Sequence, residues 1–187
     1  MGTTTPVWNG IVLAGGRSSR MGRDKAMLPW RGHTLLDHMR GRLREAGAAR
    51  VVISGAYPDP DAIPDEIGDG GPAAALAQLA PKLDDGVWLL VPVDMPLLDT
   101  ALLDTLAASR ADCAIFAGHP LPMRIALGPR SRAVLAAMAD EAASRRSLRA
   151  IHEALEGGVI AVDGWRSRLI NCNTPAEWDT LIADTDD

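Results

Sequence analysis

A chain of 187 residues with 47% hydrophobic side chains is long enough to bury one sizeable core and short for two. Its formal charge of −5 argues against a general nucleic-acid binder, and it contains no run of about 18 apolar residues to cross a membrane. The N-terminus lacks a charged segment leading into a long apolar stretch, so a cytoplasmic single domain over residues 1–187 is expected, with 1–6 as a frayed start.

In chain order, Val7 to Leu13 reads as a first strand, and the uninterrupted Ile11-Val12-Leu13 suggests burial on both faces. It opens into Gly15-Gly16 and a segment carrying Arg17, Arg20, Arg23 and Lys25. Thr34 is an N-cap for a helix running to about Ala46, with Leu35, Leu36, Met39 and Leu43 at helical spacing and Gly47 as its stop. Arg40, Arg42 and Arg44 read as its solvated face.

Val51-Val52-Ile53 is a short buried strand that ends in Ser54-Gly55. Tyr57 to Gly71, rich in Pro, Asp and Gly, reads as a loop, and its aspartates lack the spacing of a calcium hand. Gly71-Pro72 opens an alanine-rich helix, since proline near the first position loses no hydrogen bond. Val87 to Val91 is the second clear strand and runs into Pro92-Val93-Asp94-Met95-Pro96.

Asp99 to Ala108 is the next helix. Asp112–Phe116 and Met123–Leu127 are two strands around a Gly-His-Pro-Leu-Pro turn. Ser131–Ala143 and Ser147–Leu155 are helices, Val159–Val162 is a strand, and Thr174-Pro175 starts a last helix from Ala176 to about Ala183. Strands alternating with helices make an α/β fold, with a mostly parallel sheet covered on both faces.

Cys113 and Cys172 show no CxxC spacing, and no HExxH pair occurs among the histidines, so a protein-only zinc site is not indicated. Two buried thiols are the favoured reading over one disulfide. Only Lys25 and Lys82 are lysines, against 17 arginines. A lysine kept beside the glycines therefore points to a need for a compact ammonium.

The glycine loop is neither a P-loop nor a GxGxxG fingerprint. What remains is a glycine pair after the first strand, a lysine shortly beyond it, and an aspartate at the carboxyl end of a later strand, where open α/β sheets place functional groups. Read one by one, these are a tight turn, a surface cation and a helix cap. Read together, they suit phosphoryl chemistry: Gly15 and Gly16 amides cradle phosphates, Lys25 stabilises developing charge, and Asp94 holds Mg2+.

The stretch Leu13-Ala-Gly-Gly-Arg-Ser-Ser-Arg-Met-Gly-Arg-Asp-Lys25 resembles the signature of the nucleotidyltransferases related to molybdenum cofactor guanylyltransferase. Gly71-Pro72, Pro92-Val-Asp-Met-Pro96 and Asn171-Cys-Asn-Thr-Pro175 match further motifs of that family in the same order. The resemblance implies a Rossmann-like three-layer α/β/α domain of the nucleotide-diphospho-sugar transferase type. It also implies transfer of GMP from GTP to the phosphate of molybdopterin, with release of pyrophosphate.

By position, the resemblance makes Lys25, Asp94 and Arg20 the catalytic candidates. Leu13, Ala14, Gly15, Gly16, Lys25, Ser54, Asp65, Gly71 and Asp94 would meet the nucleotide. Asp94 would hold Mg2+, and Asn171 and Asn173 would lie near the metal or the pterin phosphate. Implied partners are GTP and molybdopterin, with molybdoenzymes or their chaperones receiving the product, and a monomer or weak homo-oligomer as the assembly.

Ala14-Gly15-Gly16, with Asp24 before Lys25, favours the guanylyl branch, because cytidylyl relatives usually show Ala-Ala-Gly there. Three positions depart from the family pattern. Ser54 stands where an asparagine is usual, Ala73-Ala74-Ala75 replaces Leu-Ala-Gly after Gly71-Pro72, and Met123-Arg124 falls in a short segment expected to shape the pterin side. A cytidylyl or sugar-phosphate transferase, or a nucleotide-binding module without catalysis, are the competing readings.

Overall fold

The computed structural model describes residues 7–15, 24–65, 70–142, 145–162 and 164–185. The first strand, β1 (Trp8–Leu13), lies between two other apolar strands and pairs in parallel with each. Ile11 stands opposite Val52 on one side and Leu90 on the other. Its continuous apolar run has the cause expected of a central strand: Val12 packs into one core layer, whereas Ile11 and Leu13 pack into the other.

After a 3-10 turn over Lys25–Met27, β2 (Pro29–Trp30) and β3 (His33–Thr34) form a small ribbon. Its two-residue turn, Arg31-Gly32, has φ of 47° and 84°, the hand that matches strand twist. Helix α1 (Leu35–Glu45) starts at Thr34, whose hydroxyl accepts from the Asp37 amide, and it ends before Gly47 at φ +94°. Strand β4 (Val51–Ser54) follows, and then β5 (Ala62–Ile63), a two-residue parallel edge strand inside the segment expected to be all loop.

Helix α2 (Gly71–Leu79) leads to β6 (Gly86–Pro92), and α3 (Thr100–Ala107) is capped by the Asp99 carboxylate accepting from the Leu102 amide. Strands β7 (Cys113–Phe116) and β8 (His119–Leu127) are antiparallel. The expected five-residue turn between them shrinks to Ala117-Gly118, and both prolines fall within β8. Helices α4 (Pro129–Asp140) and α5 (Leu148–Ala154), strand β9 (Gly158–Ile160) and helix α6 (Pro175–Thr185) complete the chain.

The seven-stranded sheet has the order β5-β4-β1-β6-β8-β7-β9. Only β8 runs against the rest, so the sheet is mostly parallel, with helices on both faces. Leu35, Met39 and Leu43 of α1, Leu102 and Leu106 of α3 and Trp178 of α6 fill one layer. Leu76 and Leu79 of α2, Leu135 of α4 and Ile151 of α5 fill the other. Burying each such side chain stabilises the fold by about 2 kcal/mol relative to leaving it in water.

Two sequence expectations change here. Arg40 does not belong to a solvated face: its guanidinium donates to Asp59 at 2.6 Å and reaches Asp61 at 3.4 Å, pinning the loop after β4 onto α1. Met123 and Arg124 do not shape a ligand surface, because they are 0% and 5% exposed within β8, and Arg124 donates to the Ala111 carbonyl. Trp30 is a core residue, stacked at tilted angles with His38 and Trp178. Cys113 and Cys172 are buried free thiols.

Candidate functional site

The carboxyl ends of β1 and β6 lie side by side, and backbone bonds gather three distant segments there. The Val93 amide donates to the Leu13 carbonyl at 3.1 Å, which ties the Pro92–Pro96 turn to the end of β1. The Cys172 amide donates to the Asp94 carbonyl at 2.9 Å and so draws the 171–173 segment to the same place. His38 of α1 supports the turn from below through its Nε2, 2.9 Å from the Pro96 carbonyl.

Lys25 enters from a further segment, the 3-10 turn over Lys25–Met27. Asp24 caps its 3-10 turn by accepting from the Ala26 amide at 3.0 Å. The ammonium then donates to Asp94 Oδ2 at 3.1 Å and to Asn173 Oδ1 at 2.9 Å. Lys25 and Asp94 side chains are each 15% exposed, enough to admit a ligand while keeping the pair poorly screened.

Asn173 is held from behind. The Glu177 carboxylate accepts from the Asn173 and Thr174 amides at 2.7 and 3.0 Å, and the Thr174 hydroxyl accepts from the Glu177 amide. This is a capping box that starts α6 and fixes the asparagine backbone. The Asn173 amide, followed by that of Thr174, keeps the Glu177 carboxyl below its ordinary range. Beside it, burial pushes the Cys172 thiol up, and the Asp94 carboxylate adds to that effect.

A second cluster sits at the ends of β1 and β4. The Ser54 carbonyl accepts from both the Ala14 and Gly15 amides, at 3.0 and 2.7 Å. The Gly15 amide is therefore committed to the backbone rather than held out as a phosphate donor. What Gly15 contributes is a missing side chain: a Cβ there would fall onto the Asp65 carboxylate. Ser54 is fully buried, and its hydroxyl donates to Asp65 Oδ1 at 2.7 Å.

Among the sequence candidates, then, Lys25, Asp94 and Asn173 meet directly, and Leu13, Ala14, Gly15, Ser54 and Asp65 form the adjoining cluster. Asn171 is exposed two positions upstream of Asn173. Gly71, at φ +69°, opens α2. Gly16 and Arg20 lie outside the described residues.

Tyr57 and Glu177 belong to this constellation but escaped the sequence reading, and Asp24, read there only as a mark of the guanylyl branch, belongs to it as well. The Thr174-x-x-Glu177 spacing carried the signal for Glu177. Tyr57 had only its being the single tyrosine of the chain.

Asp94 offers one further clue. Its Oδ1 is buried and has no hydrogen-bond partner among the described residues, a costly arrangement for a carboxylate oxygen unless a ligand completes it. No group of three or more His, Cys, Asp or Glu side chains among the described residues could hold a metal ion. A lone carboxylate suits Mg2+, which keeps waters and takes most other ligands from substrate phosphates.

The family model for the MobA-like NTP transferase domain matches residues 10–157. A curated relative, molybdenum cofactor guanylyltransferase from Xanthomonas euvesicatoria pv. vesicatoria, is 46% identical over 183 residues, covering 96% of this chain and 97% of its own. The backbone also resembles molybdopterin-guanine dinucleotide biosynthesis protein A from Archaeoglobus fulgidus, with TM-score 0.73, 19% identity, and 95% and 99% of the two chains covered. It resembles 2-C-methyl-D-erythritol 4-phosphate cytidylyltransferase from Thermus thermophilus at TM-score 0.67, with 19% identity and 96% and 99% covered. At such identities, structural likeness shows the shared nucleotidyltransferase fold and does not choose between bases or acceptors.

Proposed function

The chain belongs to the MobA-like NTP transferase family, and from that membership and its close guanylyltransferase relative we infer a molybdenum cofactor guanylyltransferase. It transfers GMP from GTP to the phosphate of molybdopterin. An acceptor phosphate oxygen bonds to the α-phosphorus, the bond to the β-phosphate oxygen breaks, and pyrophosphate leaves.

The observation that carries the mechanism is the meeting of Lys25, Asp94 and Asn173 at the ends of β1 and β6. Phosphoryl transfer needs positioning and charge neutralisation rather than a protein nucleophile. The Lys25 ammonium supplies a compact positive charge for the triphosphate and the leaving pyrophosphate. Removing one such group costs on the order of 3 kcal/mol of barrier, about a hundredfold in rate. The Asn173 side chain, steadied by Glu177, holds Lys25 in place from the opposite side and faces the acceptor end of the site.

Mg2+ bound at Asp94 would neutralise phosphate charge during transfer. The buried Asp94 Oδ1, without a hydrogen-bond partner among the described residues, supports that assignment. Asp65 serves the base. A carboxylate can accept from the two adjacent donors on guanine's Watson–Crick edge, a pattern cytosine does not offer, and Ser54 orients that carboxylate.

The test is pyrophosphate release with each nucleoside triphosphate, Mg2+ and molybdopterin. Release with GTP well above release with CTP is expected. Release with CTP alone would replace the guanylyl reading by a cytidylyl one, and none with any nucleotide would leave a binding module.

A further inference from the structure

Tyr57 has no role in the reaction described above, yet its hydroxyl sits between the residue that follows β1 and the carboxylate that caps the turn bearing Lys25. It lies 3.0 Å from the Ala14 carbonyl and 3.1 Å from each oxygen of the Asp24 carboxylate. Resting on the inference of guanylyl transfer, we propose that Tyr57 is a positioning residue that ties Asp24 to Ala14 at the end of β1 and thereby sets the Lys25 ammonium.

The local chemistry supports such a latch. The ring lies over Gly55, where a Cβ would come within 2.7 Å of Tyr57 Cε2 and the backbone has φ +143°. Glycine at 55 therefore makes room for the ring and adopts a conformation that side-chain-bearing residues avoid. Burial raises the phenol above its ordinary range and the neighbouring Asp24 charge adds to this, so the hydroxyl keeps its single proton, with the Asp24 carboxylate and the Ala14 carbonyl both within reach as acceptors. Hydrogen bonds to charged acceptors are roughly twice as strong as neutral ones.

The path to the reacting groups is short. Asp24 accepts from Tyr57 and also from the Ala26 amide. The carboxylate that the phenol holds is thus the one that starts the turn bearing Lys25. A side chain there only to fill the core would point its hydroxyl at water or at one fixed carbonyl. This one lies between the Ala14 carbonyl and the Asp24 carboxylate, which no strand pairing requires.

Tyr57→Phe keeps the ring over Gly55 and removes the hydroxyl. The GTP KM and the calorimetric Kd for GTP are expected to rise together by about tenfold. Turnover should fall several-fold, with the molybdopterin KM within twofold of wild type and little change in Tm. Combined with Asp24→Ala, Tyr57→Phe should add much less than it costs alone, because the Tyr57–Asp24 contact is then already broken.

A lower Tm with GTP KM and Kd unchanged would make Tyr57 a packing residue only and overturn the proposal. So would losses that multiply in the double variant. The binding titration separates this claim from the reaction: wild type that binds GTP without releasing pyrophosphate overturns the guanylyl reading, while the Tyr57 comparison is still decided by Kd.

Discussion

Lys25 and Asp94 are 69 positions apart in sequence, and their charged atoms meet at 3.1 Å. Each comes from a short segment at the end of a parallel strand, the ammonium beyond β1 and the carboxylate beyond β6. The sheet order places those two strands side by side, so topology supplies a juxtaposition that no local feature of the chain dictates. The pair also leaves a division of labour within one carboxylate: Oδ2 faces Lys25, and Oδ1 has no hydrogen-bond partner among the described residues.

Gly15→Ala tests the second cluster. The added methyl would collide with the Asp65 carboxylate, which Ser54 holds on its other oxygen. The variant should fold, because the position is exposed and the collision can be relieved by moving Asp65. Its GTP KM should rise on the order of tenfold, about the loss of one charge-assisted hydrogen bond, and its preference for GTP over CTP should narrow. An unchanged GTP/CTP ratio would remove Asp65 from base selection.

How much of this could be read from the chain alone depends on where the signal lay. Ile11-Val12-Leu13 and Val87–Val91 declared buried central strands, and Thr34, Asp99 and Ser147 declared helix starts, because these signals are local. The Asp94 position was legible for the same reason, as an aspartate between prolines after a strand. Arg40 was misread because its partners, Asp59 and Asp61, lie in a loop whose path depends on the β5 edge strand. Gly15 was expected to offer its amide, and only the pairing with Ser54 shows that the amide is already used.

Arg40→Met should destabilise the fold by about 1–2 kcal/mol, measured by denaturant midpoint. The side chain is 13% exposed and Asp59 22%, so the pair is worth more than a surface bridge and less than a fully buried one. The Asp61 amide and then Arg40 hold the Asp59 carboxyl below its ordinary range. That part of the stability is full above the unfolded carboxylate value near ~4 and fades as pH falls through the lowered folded value. Wild type should therefore lose its advantage over Arg40→Met in acid.

His38 gives a second window. Burial lowers its pKa from 6.5, outweighing the Pro96 carbonyl, which raises it. Between that lowered value and 6.5 the unfolded chain binds more proton, so stability rises with pH across the window and levels off above it. The Tm of wild type should accordingly fall more between pH 7.5 and 5.5 than that of His38→Gln, two pH values chosen to bracket roughly the free imidazole range. Equal falls would show that His38 titrates as though exposed.

The two thiols should be silent in the folded protein. Burial pushes Cys113 up to about 12 and also raises Cys172. Thiolate is the reactive form, so an aromatic disulfide reagent near neutral pH should label neither until the chain unfolds, when both react. Fast labelling of the native protein at Cys172 would mean that the 171–173 segment opens away from Asp94.

The central claim is that Asp94 serves transfer rather than nucleotide capture alone. The most direct measurement compares wild type with Asp94→Ala for pyrophosphate release from GTP, with Mg2+ and molybdopterin, alongside calorimetric GTP binding. Release should drop on the order of a hundredfold or more, while GTP affinity measured without metal changes by only a few-fold. Undiminished release from Asp94→Ala would contradict the account.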